Sequence, residues 1–161
     1  LHTSSDDSST AEYQEFRKLM EAHGVTVKSF TITSTNDISQ TAETMVRQVE
    51  AVYVPTDNTV ASGIMTLAKA VDGAKIPLFP AVATMMKPAG VATISSSQFD
   101  MGVVTGKMVA RVLRGEKTAT MAVEQTKKVD TTINLKQARK LGLTIPQRYV
   151  DAAEKRGEII Q

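Results

Sequence analysis

A repeated unit of short apolar strand, polar turn and amphipathic helix constrains the fold of this chain more than any other feature. Residues 51–55 are apolar on both faces, as in a strand buried at the centre of a parallel sheet. The polar residues 56–59 follow, and apolar residues then recur at helical spacing from Val60 to Val71. Residues 76–80 begin the unit again. This alternation predicts a Rossmann-like, three-layer α/β/α lobe with a mainly parallel sheet.

The same unit can be traced through the rest of the chain. A strand end at residues 1–3 leads into a polar turn and a helix from Ser9 to Gly24. The further expected elements are a strand at 25–32, a helix from Asn36, a strand at 91–95, a helix at 101–113, a surface connection at 114–130, a strand at 131–135, a helix at 137–141 and a last helical segment after Pro146.

Composition excludes several classes of function. The net charge of +2 is not concentrated in a basic stripe, so we expect no nucleic-acid partner. The 161 residues contain no Cys, which excludes disulfides and thiolate metal sites. No apolar run reaches the length of a membrane span, which predicts a soluble domain. His2 and His23 have no ligand partners at metal-binding spacing, so we expect no metal, no cofactor and no catalytic set.

Three polar turns follow predicted parallel strands, at residues 4–8, 56–59 and 80–84. Ligands of open α/β sheets bind beyond the carboxyl ends of the strands, so these turns predict a ligand site on one edge. The N–H groups that begin the following helices suit an anion, and Asp57 suits an ammonium or hydroxyl group. The simpler alternative is that the polar residues only cap helices.

A phospho-accepting receiver domain is a further alternative, because Asp6, Asp7, Asp57 and the Lys87-Pro88 pair resemble its acidic pocket. The order of these residues argues against it. The lysine of a receiver follows the fifth strand, whereas Lys87 precedes the strand at 91–95.

Several segments carry a resemblance to a known family. They are Val52 to Gly63, Phe79-Pro80-Ala81, Ala89 to Thr93, Gln98 to Gly102, Thr105 to Met108, Ile133-Asn134 and Leu141 to Pro146. In this order they resemble the substrate-binding proteins of an ABC importer family associated with tryptophan and tyrosine uptake. The similarity covers only the second half of such a protein.

The resemblance implies a type I periplasmic-binding fold, in which two lobes close over a ligand. Residues 1–96 would form the C-terminal lobe. Residues 97–124 would cross the hinge and pack on the N-terminal lobe, with Gly102, Gly106 and Ala110 in the contact. Residues 125–161 would return to the C-terminal lobe and end in its C-terminal helix. We expect the N-terminal lobe, a signal peptide and a lipid-anchoring segment upstream of Leu1.

The resemblance also implies a set of ligand-facing residues. These are Ser4, Ser5, Ser8, Asp57, Asn58, Ala81, Thr84, Gln98 and Phe99. Two positions depart from the family pattern: Ser5 replaces a frequent Glu, and Ser97 replaces a frequent Asp. Both changes remove a carboxylate that would recognise a ligand amine.

The predicted function is therefore capture of a small molecule, most simply an amino acid, by an exported component of an ABC importer. The predicted partners are the ligand, the membrane permease subunits, the N-terminal lobe and, for the isolated lobe, a second copy of itself. A ligand-sensing regulatory domain of the same fold is the alternative, which the residues upstream would decide.

Overall fold

The computed structural model describes residues 1–126 and 128–161 and shows an α/β lobe. Its strands are β1 (His2–Thr3), β2 (Thr31–Ile32), β3 (Val52–Val54), β4 (Leu78–Pro80), β5 (Ala92–Ser96), β6 (Val129–Asn134) and β7 (Gly157–Ile160). Its helices are α1 (Asp7–Ala22), α2 (Ile38–Met45), α3 (Asn58–Ser62), α4 (Ile64–Ala74), α5 (Met86–Ala89), α6 (Gln98–Leu113), α7 (Leu135–Lys140) and α8 (Gln147–Lys155).

The strands form three hydrogen-bonded groups in the order β1-β2, β3-β4 and β5-β6-β7. Single backbone contacts join the groups edge to edge. The Leu1 ammonium donates to the Tyr53 carbonyl (3.0 Å), and the Val91 N–H donates to the Leu78 carbonyl (2.8 Å). The pairs β1-β2, β3-β4 and β6-β7 are parallel, which confirms the predicted mainly parallel sheet. The carboxyl ends of β1, β3, β4 and β5 therefore lie at one edge.

The core packs against the first four strands. Its fully buried side chains come from strands and from one face of each helix that follows them, in the pattern that the apolar spacing predicts: Ile32, Ile38, Met45, Val54, Val60, Leu67, Val71, Leu78 and Met85.

Two predicted elements of the first half of the chain differ from the structure. The strand expected at 25–32 is ordered as a strand only at Thr31–Ile32, because its partner β1 offers two residues for pairing. The single helix expected after residue 60 is divided at Gly63 into α3 and α4, with Gly63 close to Ile38.

Two further differences concern the later part of the sheet. Strand β6 pairs antiparallel with β5, with Ser96 opposite Val129 and Ala92 opposite Ile133. Strand β7 was not predicted. It approaches β6 so closely that a Cβ on Gly157 (φ +151°) would lie 1.8 Å from the Thr131 carbonyl oxygen. Only glycine fits there without a shift of the backbone.

Candidate functional site

The first two polar turns are joined by Asp57. Its carboxylate accepts hydrogen bonds from the Thr3 N–H (2.6 Å), the Thr3 hydroxyl (2.9 Å) and the Val60 N–H (2.9 Å). Asp57 is 2% exposed. Burial alone raises the pKa of this carboxyl, but the hydrogen bonds from Val60 and Thr3 outweigh it and hold the pKa below its ordinary value. Asp57 is thus an ionised cap that fixes the end of β1 against the start of α3.

Glu12 makes a second link between these turns. From the first half of α1 it accepts hydrogen bonds from the Thr56 N–H (3.0 Å) and from the Tyr53 hydroxyl. The third turn lies beside them, because the Ala81 N–H donates to the Val54 carbonyl (2.8 Å). All three turns therefore meet at the carboxyl edge of the sheet.

The helix N-termini at this edge are capped by the chain itself. Asp6 accepts hydrogen bonds from the N–H groups of Ser8 (3.0 Å) and Ser9 (3.3 Å) at the start of α1. At the start of α6, the Ser97 hydroxyl accepts one from the Asp100 N–H (3.2 Å). The Asp6 cap occupies N–H groups in the first of the three turns, which were predicted to suit an anion. The structure thus shows these polar side chains as helix caps.

The predicted site residues divide into exposed and buried ones at this edge. Those whose side chains are exposed are Ser4, Ser5, Ser8, Asn58, Thr84, Gln98 and Phe99. Ala81 is half-buried, and Asp57 is buried with its oxygens occupied. An exposed phospho-acceptor is thus not available at Asp57, which argues against the receiver alternative.

A groove of about 510 Å³ brings the third turn together with the start of α6. Thr84, Gln98 and Phe99 line it, while Ser4 and Asn58 lie outside its lining. Phe99 is 78% exposed and stands at its margin as an uncovered ring. A larger groove of about 950 Å³, which Ala81 and Gln98 also line, extends from this edge onto the face of the sheet.

Sequence reasoning missed an ionic cluster in the smaller groove. Arg156, at the end of α8, pairs with Asp100 of α6 and, through Nε, with Asp130 of β6 (2.6 Å). The three residues are far apart in the sequence and follow no motif, so no sequence signal points to their contact.

The described residues show neither a metal site nor a membrane helix. Among them, no group of three His, Asp or Glu side chains is arranged to hold a metal ion. None of the helices in the described ranges is long and apolar enough to cross a bilayer.

The fold and its polar edge define a Rossmann-like ligand-binding lobe. The chain belongs to the ABC transporter substrate-binding protein family, whose sequence profile matches residues 1–156. The family comprises binding proteins rather than enzymes.

The chain is also similar to several individual proteins of known structure or name. An ABC domain from Streptococcus pneumonia, solved in complex with L-Trp, is 37% identical, superimposes with a TM-score of 0.91, and is matched over 99% of this chain and 53% of its own. A conserved domain protein from Vibrio cholerae is 24% identical with a TM-score of 0.89, over 98% of this chain and 52% of its own. The Vibrio protein supports the fold alone.

Two relatives from Clostridioides difficile complete the comparison. A ligand-free, open substrate-binding protein with adhesive properties has a TM-score of 0.72 at 24% identity, over 99% of this chain and 52% of its own. A tyrosine-binding protein of strain R20291 is 19% identical over 134 residues, or 83% of this chain and 39% of its own. The chain thus spans about half the length of the solved relatives, and less of the curated one.

Proposed function

We propose that this chain is one lobe of a two-lobed solute-binding protein, which captures an amino acid for an ABC importer by closing over it. The observation that carries the proposal is the pairing of two surfaces: a polar, preorganised edge that can hold a ligand from one side, and a helix beside it that has no core of its own. Each surface needs a second body to be complete.

Helix α6 is the stronger indication of that second body. All 16 of its residues are described, and none is buried. Val103, Val109, Val112 and Leu113 are each more than one-third exposed, and Gly102 and Gly106 have open space where a Cβ would stand. An exposed apolar helix face of this kind marks an interaction site. We assign it to the N-terminal lobe, with residues 97–124 as the hinge crossing.

The ligand proposed is an amino acid, with an aromatic one favoured. The support is the 37% identity to a lobe whose solved complex contains L-Trp, together with the exposed Phe99 ring beside the smaller groove. An aromatic ligand gains from stacking on such a surface. Gln98, Thr84, Asn58 and the serines of the first turn would supply hydrogen bonds, while Asp57 holds the turns in place from beneath.

Membership of the family supports a transport role. We propose an exported protein that works at the outer face of the cytoplasmic membrane, held there by a lipid-anchored upstream segment. Ligand contact with both lobes would shift the population toward the closed form, and the permease subunits would recognise that form.

The test uses the chain joined to its N-terminal lobe and isothermal titration with L-tryptophan, L-tyrosine and, as unrelated solutes, glucose and adenosine. We expect saturable binding of an aromatic amino acid. Gln98→Ala should weaken this binding about tenfold, because it removes a hydrogen-bonding side chain from the groove. The matched control is Gln40→Ala, an exposed residue of α2 that lines neither groove.

Two outcomes would contradict the proposal. Binding of glucose or adenosine without any amino acid would overturn the ligand class. Equal binding by the Gln98→Ala and Gln40→Ala proteins would remove the groove from the site.

A further inference from the structure

The start of α6 is held against the sheet by an ion pair rather than by packing. Asp100 lies in the first turn of α6, two residues after Gln98 and next to Phe99. Its carboxylate pairs with Arg156, whose Nε also lies 2.6 Å from Asp130 at the beginning of β6. The cluster therefore joins the first turn of α6, the beginning of β6 and the residue that ends α8.

The backbone at Arg156 is placed as firmly as its side chain. The Arg156 N–H donates to the Ala152 carbonyl (2.9 Å), and its carbonyl accepts from the Thr131 N–H (3.1 Å). The next residue is Gly157, where any side chain would collide with Thr131. The guanidinium thus extends from a backbone that is fixed against β6 toward α6, in which no residue is buried.

Burial and charge indicate that this cluster acts locally. The side chains of Arg156, Asp100 and Asp130 are 39%, 26% and 29% exposed. Half-exposed ion pairs contribute little to global stability, because water screens them. The planar guanidinium donates a hydrogen bond to the Asp100 carboxylate, and this fixes the orientation of that pair, because the donors stand in a rigid array. Its contact with Asp130 is ionic, since the buried Nε makes no hydrogen bond.

We propose that Arg156 is a positioning residue for ligand binding: it fixes the first turn of α6, and with it Gln98 and Phe99, at the margin of the groove. The inference rests on the proposed function. It assigns Arg156 no contact with the ligand. It also explains why Arg156, Asp100 and Asp130 line the same groove as Thr84, Gln98 and Phe99.

The experiment compares Arg156→Ala, Arg156→Lys and Asp100→Asn in the chain joined to its N-terminal lobe, with L-tryptophan as the probe. The matched control is Arg148→Ala, on the same helix α8 but with the tyrosine ring of Tyr149 as its contact. We expect Arg156→Ala to weaken binding roughly 2- to 30-fold, as coupling through neighbouring residues commonly does. Arg156→Lys should restore part of the loss at low salt and less at high salt.

Hydrogen exchange separates positioning from a general structural role. In the Arg156→Ala protein, amides of residues 98–102 should exchange faster while the melting temperature stays close to that of the parent. An Arg156→Ala, Asp100→Asn double variant should lose no more affinity than the worse single variant, because both changes break one contact.

The outcomes distinguish this inference from the function on which it rests. If the parent binds tryptophan and Arg156→Ala binds it equally well, the positioning role is wrong and the binding function stands. Unchanged exchange at 98–102 in Arg156→Ala overturns the positioning role as well. If the parent binds no amino acid, the proposed function fails, and a role for Arg156 in binding fails with it.

Discussion

Residues 1–96 and helix α6 use apolar residues in opposite ways. In the first region they are arranged to be covered by the chain itself: Leu67, Val54 and Leu78 are fully buried between sheet and helices. In α6, Leu113 is 82% and Val109 52% exposed. Helices α4 and α6 both carry an apolar face, yet within the described residues only the face of α4 is buried. The difference separates residues that stabilise the lobe from residues that, in the proposed function, contact a second body.

The most direct way to break this comparison is to shorten one leucine in each region. Leu67→Ala should lower the free energy of unfolding by about 2 to 5 kcal/mol, because it leaves a cavity in the core. Leu113→Ala should change it by less than about 0.5 kcal/mol in the 161-residue chain. Urea unfolding followed by circular dichroism measures both. Equal losses would mean that α6 has a core contact after all.

A substitution at Asp57 tests whether the polar edge contributes to the stability of residues 1–96. Asp57→Ala should lower the free energy of unfolding at pH 7 by about 1 to 3 kcal/mol, because it leaves the N–H groups of Thr3 and Val60 without acceptors. Asp151→Ala, which removes an exposed carboxylate from α8, is the control.

The same carboxyl predicts a pH dependence with a definite sign. The folded-state pKa of Asp57 is lowered, so the unfolded chain binds more protons between the two pKa values. The stabilisation is fully present above the unfolded pKa of about 3.9 and is lost as the pH falls through the folded pKa. Urea midpoints between pH 6 and pH 2.5 should fall less steeply for Asp57→Ala than for the parent. Parallel curves would contradict the assigned hydrogen bonds.

A substitution at Gly157 tests how much the pairing of β7 with β6 contributes to stability. Gly157→Ala should destabilise the chain by about 1 to 3 kcal/mol, because the new Cβ meets the Thr131 backbone and the φ of +151° disfavours a side chain. Gly73→Ala is the matched control, since its Cβ would find nothing within 4 Å and helix α4 gains propensity. Thermal unfolding should place the two variants on opposite sides of the parent. A neutral Gly157→Ala would show that β7 is dispensable.

The smallest expected effect on stability is at the exposed face of α6. We expect the isolated chain to self-associate through this face. Val109→Lys should leave the free energy of unfolding within about 0.5 kcal/mol and reduce the association seen by sedimentation velocity. Lys107→Ala removes a charge from the same helix and should increase association. Association that is unchanged by both would locate it elsewhere.

The sequence allowed the alternating elements to be predicted because apolar periodicity reports which face of each element is buried. Residues 51–55 and 76–80 follow this rule, and both contain strands in the structure. The rule fails where strand formation depends on pairing with a segment that is distant in the sequence. Residues 25–30 have the composition of a strand, but β1 offers only two residues for pairing, and these pair with Thr31–Ile32. Strand β7 pairs with β6, which is itself antiparallel to β5.

The candidate site was less predictable than the fold. Spacing placed Asp57 at the correct edge, but whether its oxygens face a guest molecule or Thr3 depends on the distance between β1 and β3, which no local pattern encodes. Arg156 was missed for the same reason. Whether the nine predicted residues contact a ligand stays a prediction.

The main apolar cluster has one more consequence, for the order of events during synthesis. All of its buried members lie between Leu1 and Ala89. A ribosome makes these residues before it makes α6 and the late strands, and domains generally fold as units during synthesis. The apolar cluster can therefore begin to fold while the end of the polypeptide is still being translated, and α6 is then added to a core that is already forming.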